Sequence, residues 1–166
     1  MQSHYRMFAG YNAWANALIY DAAQALSEAD YRADRGAFFK SVQGTLNHIL
    51  VADRIWMHRF TGMGETYARL DLTLFDDLAS LRAARKSEDQ RIVDHIDSLD
   101  EAALAGRFRY RRVSSPDEFE QMLAPALAHF FNHQTHHRGQ AHGLLTALTG
   151  KAPELDLLYY QRAVDA

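Results

Sequence analysis

The sequence predicts a mainly helical, all-α type of protein with one short β-hairpin. Along most of the chain, apolar residues recur at intervals of three and four, which is the period of an amphipathic helix. Residues 106–113 instead alternate arginines with aromatic residues, and this period of two is typical of a half-exposed strand. The length of 166 residues suits one compact domain, and because no repeat or linker divides the chain, we expect residues 1–166 to form a single domain.

The composition argues against several classes of function. The 18 basic and 21 acidic residues give a net charge of -3, which provides no positive field for binding a nucleic acid or an anionic membrane. Cysteine is absent, which excludes disulfides and cysteine-bound metals and agrees with a cytoplasmic protein. No apolar run approaches the roughly 18 residues of a membrane span. Asn12 and Asn16 interrupt the first apolar stretch, so we expect no targeting signal.

The first two long helices are predicted from their apolar stripes. The first helix covers about residues 3–26, and residues 27–40 are expected to form a connection that is polar at its start and aromatic at its end. The second helix covers about residues 42–60 and ends at Gly62. Asp53 is the only residue that interrupts its apolar stripe, which makes this carboxylate a candidate for burial.

Two more long helices and a short one complete the helical prediction. The third helix covers about residues 72–98, and its charged face is expected to meet solvent. The fourth covers about residues 125–149, because Pro125 suits the start of a helix and Gly150 suits its end. The segment at 155–163, with the sequence LDLLYYQRA, is expected to form a short C-terminal helix.

The segment between the third and fourth helices has two interpretations. Residues 106–113 and 118–123 would form two short strands joined by a turn. Alternatively, Ser115 would cap a helix that begins at residue 116. We favour the hairpin, because Pro125 would then lie at a helix start, whereas inside a longer helix a proline costs about 3 kcal/mol.

Histidines are concentrated in the predicted fourth helix. Five of the nine histidines in the chain lie between residues 129 and 142. On a helical wheel, His137 and His133 lie nearest the apolar side, about 35° and about 75° from its centre. Because they are four residues apart, their imidazoles lie one turn apart and can reach one ion. The alternative is a pair of core histidines that hydrogen-bond to the backbone or to other helices.

A metal site in a helical core needs a further ligand from a facing helix. The predicted second helix contains His48 and His58, of which His48 lies closer to the apolar stripe. Its angle is about 100° from the centre of that stripe, so periodicity makes it an edge residue. The spacing therefore nominates His48 as the third ligand without establishing it.

Several neighbouring side chains are candidates for lesser roles. The wheel places His136 and Arg138 away from the core, where we expect solvent or a dimer contact. Gln140 lies near the ligand side and is expected to pack. Asp53 is the one inward carboxylate of the second helix, and we expect it to be a buried hydrogen-bond partner. No catalytic base can be assigned from spacing.

Three motifs, which together with the C-terminal segment span nearly the whole chain, carry a resemblance to a known family. They are YNAWAN at 11–16, LNHILVADRIW at 46–56 and FNHQTHHRGQ at 131–140. These motifs resemble the DinB superfamily of damage-inducible bacterial proteins. The resemblance implies an up-down-down-up four-helix bundle with a three-histidine metal site. One ligand of that site comes from the second helix and two come from an HxxxH motif of the last bundle helix, which corresponds here to His48, His133 and His137.

The resemblance also implies a cofactor and a type of chemistry. The expected ion is a divalent transition metal, most often nickel or zinc, with iron or manganese as alternatives. Relatives use it in thiol-dependent transferases and isomerases, frequently as homodimers, so the expected partner is a small molecule such as a low-molecular-weight thiol. Gln134 occupies the position of the catalytic glutamate in HExxH metalloproteases, which argues against peptidase chemistry. The alternative is a non-catalytic stress-response protein in which the metal is structural.

Overall fold

The computed structural model describes residues 1–111 and 117–165, which form seven helices and one antiparallel pair of strands. In chain order the elements are α1 (Gln2–Gln24), α2 (Glu28–Arg32), α3 (Val42–Thr61), α4 (Leu78–Ser98), α5 (Glu101–Leu104), β1 (Arg107–Arg111), β2 (Glu118–Met122), α6 (Leu123–Thr149) and α7 (Leu157–Val164). The predominance of helix is thus confirmed. Among the described residues, no helix combines the length and the apolar character that crossing a membrane requires.

Local signals set the ends of the long helices. The Ser41 hydroxyl and the Asp77 carboxylate each accept a hydrogen bond from the backbone N–H three residues further on, which caps the starts of α3 and α4. Gly62 and Gly150 follow the ends of α3 and α6 with φ of 69° and 70°, a left-handed conformation that favours glycine. Pro125 lies in the first turn of α6, where its missing N–H has no helical partner to lose.

The four long helices pack in pairs. Helix α1 contacts α4 and α6, and α3 contacts α6 and α4. Two apolar clusters fill the space between them, one at each end of the helices. Their large fully buried members include Ile19, Leu46, Leu50, Leu81 and Leu145 in one cluster, and Met57, Ile92, Ile96, Leu104, Leu127 and Phe130 in the other. The helices are therefore held together along their length by apolar side chains.

The β-hairpin prediction is confirmed. Strands β1 and β2 pair antiparallel in a register that runs from Arg107 opposite Met122 to Arg111 opposite Glu118. The alternative of a helix from residue 116 is wrong, because Glu118–Met122 is a strand. The turn itself falls within 112–116, outside the described residues. The inward side chain of Tyr110 packs on Trp56 of α3, so the hairpin covers one end of that helix.

The connection before α4 differs from the prediction. The third helix begins at Leu78 rather than at residue 72. The Asn47 side chain holds the preceding loop, since its Oδ1 accepts hydrogen bonds from the N–H groups of Leu74 and Phe75 and its Nδ2 donates to the Phe75 carbonyl. These bonds satisfy the backbone in a non-helical conformation. The expected connection at 27–40 also contains a short helix, α2, which Ser27 caps.

Some charged side chains of α4 are buried, which corrects the prediction of a solvent-facing surface for that part of the helix. Arg85 and Asp89 are 2% and 7% exposed. Arg85 Nη1 donates to Asp53 Oδ2 over 2.5 Å, and Arg85 Nη2 lies 3.0 Å from Asp89 Oδ1. The charge of Arg85 can leave solvent because one carboxylate of the facing helix α3 and one of its own helix compensate it. Asp53 is fully buried, as the sequence predicted, and burial raises its pKa to about 6 although Arg85 opposes this rise.

Arg138 of α6 is also buried, and its predicted place away from the core is wrong. It is 2% exposed, and its Nη1 donates to Asn12 Oδ1 over 2.5 Å and to Asn16 Oδ1 over 3.1 Å. Both asparagines lie on α1, and both also donate to Asp89. Helix α6 is covered by α1 on one side and by α3 on another, so a single apolar stripe does not describe its burial. We call these side chains the buried arginine network, namely Asn12, Asn16, Asp53, Arg85, Asp89 and Arg138.

Candidate metal centre

Helices α3 and α6 bring three histidines together. His48 lies near the start of α3, and His133 and His137 lie one turn apart on α6. His48 contacts His137, and Trp56, two turns later on α3, contacts His129, two turns earlier on α6. The chain therefore runs in opposite directions along the two helices at this site. The predicted candidates are thus neighbours in the fold, and we call His48, His133 and His137 the histidine triad.

The spacing of the triad fits a small metal ion. One ring nitrogen from each histidine lies within 4.8 Å of the others. Metal–nitrogen bonds of about 2.0–2.1 Å place ligand nitrogens about 3.4 Å apart in tetrahedral geometry. Rotation of the histidine side chains can bring the three nitrogens from their present separation to this one. Among the described residues, no other group of three or more histidines, aspartates or glutamates has such spacing. The triad could therefore hold a metal ion.

Hydrogen bonds define which nitrogen of two of these rings carries the proton. His48 Nδ1 lies 2.8 Å from the Leu70 carbonyl oxygen, which only accepts, so this nitrogen donates and Nε2 keeps a bare lone pair. His137 Nδ1 lies 2.8 Å from Gln140 Oε1 and is held in the same way. His48 Nε2 is buried and has no hydrogen-bond partner among the described residues. A buried ring nitrogen that accepts no hydrogen bond has a lone pair available for a metal ion.

The environment keeps the triad neutral. Burial lowers the pKa of His48 to about 4, although the bond to Leu70 opposes this, and it lowers the pKa of His133 to about 3 with help from the neighbouring imidazoles. Burial also lowers the pKa of His137, against the bond to Gln140. Neutral imidazole is the form that binds metals, so the three rings need not lose protons near pH 7.

An aromatic ring covers one side of the triad. Phe39 stacks on His48, with ring centroids 3.7 Å apart and planes 15° apart, and makes a T-shaped contact with His137. The backbone of this loop approaches α3 so closely that a Cβ on Gly44 would lie 2.1 Å from the Phe39 carbonyl oxygen. Only glycine permits that approach. No sequence pattern predicted this cover, apart from the aromatic end expected for residues 27–40.

A cavity of about 770 Å³ opens beside the triad. His133 and His129 of α6 line one wall, and Trp56 and Arg59 of α3 line another. The hairpin contributes Tyr110. A volume of this size suits a small molecule. A second cavity of about 610 Å³ lies beside α2 and the first turns of α4 and contains none of the triad, so we associate the site with the first.

The remaining candidates take structural positions. Asn47 is one residue from His48 but holds the loop before α4 instead of the ring. Gln140, expected to pack, holds His137 and also lies 3.3 Å from His136. Gln134 is fully buried beside Asp53, whose pKa its amide lowers, so the position of the HExxH glutamate contributes no acid group to the triad. Among the described residues, no carboxylate joins the three imidazoles of the triad as a possible ligand.

Comparison with known proteins agrees with the resemblance seen in the motifs. Residues 1–164 match the model of the family described as the DinB family. The protein named DinB from Bacillus subtilis strain 168 is 25% identical over 150 residues, which cover 81% of this chain and 80% of that protein. Because the family model matches nearly the whole sequence, this chain belongs to the DinB family.

Proposed function

We propose that this protein binds a divalent transition metal through His48, His133 and His137 and uses it to catalyse a reaction of a small molecule. Transfer of a thiol to a small electrophile is the reaction we favour, ahead of hydrolysis. The observation that carries the proposal is the convergence of three neutral imidazoles, two of them fixed through Nδ1, beside a cavity of about 770 Å³. Three protein ligands leave a coordination position for a substrate, as in catalytic zinc sites.

The donor set guides the choice of metal. Three imidazoles without thiolate or carboxylate suit several first-row ions, and we propose nickel or zinc, with iron and manganese as the weaker alternatives. A bound divalent ion would act as a Lewis acid that favours the deprotonated form of a thiol or of water. The protein itself orients the rings through the Leu70 carbonyl and Gln140, and Phe39 keeps water from one side of His48.

The surroundings support a thiol over an activated water. Hydrolases of the HExxH type need a carboxylate beside the ion to take a proton. Asp53 is bound to Arg85 in the core, and Gln134 is an amide. A thiol, which loses its proton more readily than water, requires less help from a base. This difference supports thiol transfer as the first reaction to test.

A purely structural role for the ion is the second candidate, and the packing argues against it. Two apolar clusters and the buried arginine network already join the four long helices. Structural metal sites are essential mainly in domains too small to form such a core. We therefore expect the helices to stay folded when the ion is removed.

We also propose the wider properties that the family resemblance implies. The long helices α1, α3, α4 and α6 would form an up-down-down-up four-helix bundle, for which their pairwise packing is the support. The protein would act in the cytoplasm as a homodimer, with a small-molecule substrate and no nucleic acid or membrane partner.

The test begins with elemental analysis of protein purified without a histidine tag. We expect about one transition metal per chain in the wild type and in the control His142→Ala, whose imidazole bonds to the Pro153 carbonyl away from the triad. The ion should be lost in His48→Ala and in His133→Ala. A screen of thiols against small electrophiles then follows with the loaded protein. A wild type that takes up no metal even after soaking would refute the proposal.

A further inference from the structure

Helix α6 carries a third histidine in line with the two that belong to the triad. His129, His133 and His137 follow one another at spacings of four residues, so each imidazole lies one turn beyond the last. The first spacing repeats the HxxxH arrangement of the second, which the proposed function uses to hold an ion. His129 itself has no part in that function. The helix therefore offers a second histidine pair, His129 and His133, which shares one ring with the triad.

The two rings of this pair are close enough to bind one ion. The ring centroids of His129 and His133 lie 6.0 Å apart. Within the triad, the centroids of His48 and His133 lie 5.4 Å apart. The pair thus needs only slightly more side-chain rotation than the triad to bring two nitrogens to the distance of about 2.0–2.1 Å at which imidazoles bind a metal ion.

His133 is the ring of the triad that hydrogen bonds hold least. The Leu70 carbonyl holds His48 Nδ1, and Gln140 holds His137 Nδ1. Among the described residues, no hydrogen bond holds either nitrogen of His133, which is only half buried. Such a ring can rotate about its side-chain torsions, so His133 can turn toward His129 or toward the other members of the triad.

The pair lies where an ion would enter. His129 and His133 both line the cavity of about 770 Å³, whereas His48 and His137 are not among the described residues that line it. His129 is exposed, but His48 is buried and Phe39 stacks on its ring. An ion that arrives through this cavity would therefore meet the pair before it meets His48.

We propose that His129 and His133 form a second, weaker metal site, which captures a divalent ion from the cavity and passes it to the triad. The ion would keep its bond to His133 while that ring rotates, lose His129, and gain His48 and His137. Because His48 and His137 already carry their protons on Nδ1, the exchange releases no proton from these two rings.

The pair is expected to hold an ion only briefly. It supplies two protein ligands where the triad supplies three, so transfer to the triad is favourable. Arg59 lines the same cavity, and its positive charge opposes the binding of a cation there. The inference rests on the proposed function, because the triad is the destination of the ion.

The pair is tested first without the triad. In the double variant His48→Ala/His137→Ala, the pair of His129 and His133 remains. The probe is Cu²⁺, which binds nitrogen ligands most tightly among the first-row divalent ions. Trp56 reports binding, because its ring centroid lies 5.1 Å from that of His129 and a nearby Cu²⁺ ion quenches indole fluorescence. We expect a single Cu²⁺ ion to bind each chain and to quench this fluorescence.

Further substitutions assign the signal to the pair. Trp14→Phe leaves Trp56 as the only tryptophan in every protein that is compared. Adding His129→Ala to the double variant should weaken Cu²⁺ binding at least about tenfold, since even an outer partner of a metal ligand contributes about 10- to 100-fold. The control His142→Ala removes an imidazole of the same helix that bonds to the Pro153 carbonyl, and it should leave the binding unchanged.

Transfer is tested with the triad intact. In metal-free protein, His129→Ala should leave the equilibrium affinity of the triad for Ni²⁺ unchanged but slow the uptake of Ni²⁺, by the same factor by which it weakens the pair. Stopped-flow removal of Ni²⁺ from a chromophoric chelator measures the rate. Circular dichroism establishes that each variant is folded. If the double variant does not fold, this rate decides, because it requires no change in the triad.

The outcomes separate the two proposals. Binding of Cu²⁺ that does not depend on His129, or an uptake rate that His129→Ala leaves unchanged, would refute the second site while the triad still binds its ion. A wild type that binds no ion at the triad would refute the proposed function and the transfer together, even if the pair binds Cu²⁺.

Discussion

The histidine triad and the buried arginine network both place polar side chains in the helical core. The two groups differ in how the polar atoms of these side chains are compensated. In the network, Arg85 lies between Asp53 of α3 and Asp89 of its own helix, and Arg138 binds Asn12 and Asn16 of α1. In the triad, neutral acceptors face one another, and no described side chain donates a proton to His48 Nε2. The first arrangement balances its charges within the protein, whereas the second would be balanced by the metal ion that we propose.

The largest expected effect comes from breaking the network. Arg85→Met would leave Asp53 and Asp89 buried without their cation, and removal of one partner from a buried ion pair costs about 3–5 kcal/mol. We expect a loss of this size in the free energy of unfolding, measured by urea denaturation. The matched control is Arg82→Met, which removes an exposed pair with Asp21 and should cost less than about 1 kcal/mol. Equal effects of the two variants would show that the network is not a closed structural unit.

The triad should respond in the opposite way, with a large change in metal affinity and a small change in stability. Loss of an outer hydrogen-bond partner already costs about 10- to 100-fold in metal affinity, so loss of a ligand in His133→Ala should cost at least about 100-fold. The affinity is measured by competition with a chromophoric chelator. The metal-free variant should unfold within about 1 kcal/mol of the wild type, because His133 is only half buried. A large loss of stability would place the triad among the structural residues.

Acid should weaken the metal-free protein through the triad. The pKa of His48 is about 4 and that of His133 about 3, against 6.5 for a free imidazole. Between these values the unfolded chain binds more protons than the folded chain, so stability falls as the pH falls from about 6.5 toward 4. Each ring contributes at most about 1.4 kcal/mol per pH unit, and less where water reaches it.

The measurement is urea unfolding of chelator-treated protein at several pH values in this window, for the wild type and for His133→Ala. Acidic residues titrate in both proteins, so the difference between the two slopes isolates the imidazole. The variant should lose stability less steeply on acidification. Parallel slopes would mean that His133 is protonated as easily in the folded as in the unfolded chain.

The smallest effect tests how the rings are held. Gln140→Leu removes the acceptor for His137 Nδ1, and we expect about a tenfold loss of metal affinity with unchanged stoichiometry. Gln140→Glu keeps an acceptor and should restore the affinity. The same chelator competition checks both. If leucine and glutamate behave alike, Gln140 does not orient the ring.

The fold and the site were predictable to different extents. The helical period predicted the long helices, the period of two predicted the hairpin, and spacing on α6 placed His133 and His137 on one side. His48 was placed at the edge of its stripe, yet it is 2% exposed, because the Phe39 loop covers it. The apolar pattern of α3 cannot show that a loop from another part of the chain buries one of its residues. Periodicity nominated this residue ahead of His58, and the family resemblance then selected it as a ligand.

The two errors about buried charges have one physical cause. Wheel analysis treats a helix as having one buried side, whereas α6 and α4 are each covered by more than one neighbour. Charged residues on the second buried side, such as Arg138 and Arg85, were therefore expected at the surface. Their partners lie on other helices, at separations in sequence of 126 residues for Arg138 to Asn12 and 32 for Arg85 to Asp53. Such pairs leave no local pattern in the sequence.

The hydrogen bond from His48 to the Leu70 carbonyl has a consequence for the loop between α3 and α4. The bond joins a proposed ligand to backbone 22 residues further along the chain, in a segment without regular structure that also lines the cavity beside the triad. Binding of the proposed ion at the triad would thus be thermodynamically linked to the position of this segment. By reciprocity, a molecule that orders the segment would raise the affinity for the ion by the same factor by which the ion raises the affinity for that molecule. The amount of metal that the protein retains would then indicate whether a molecule occupies the cavity.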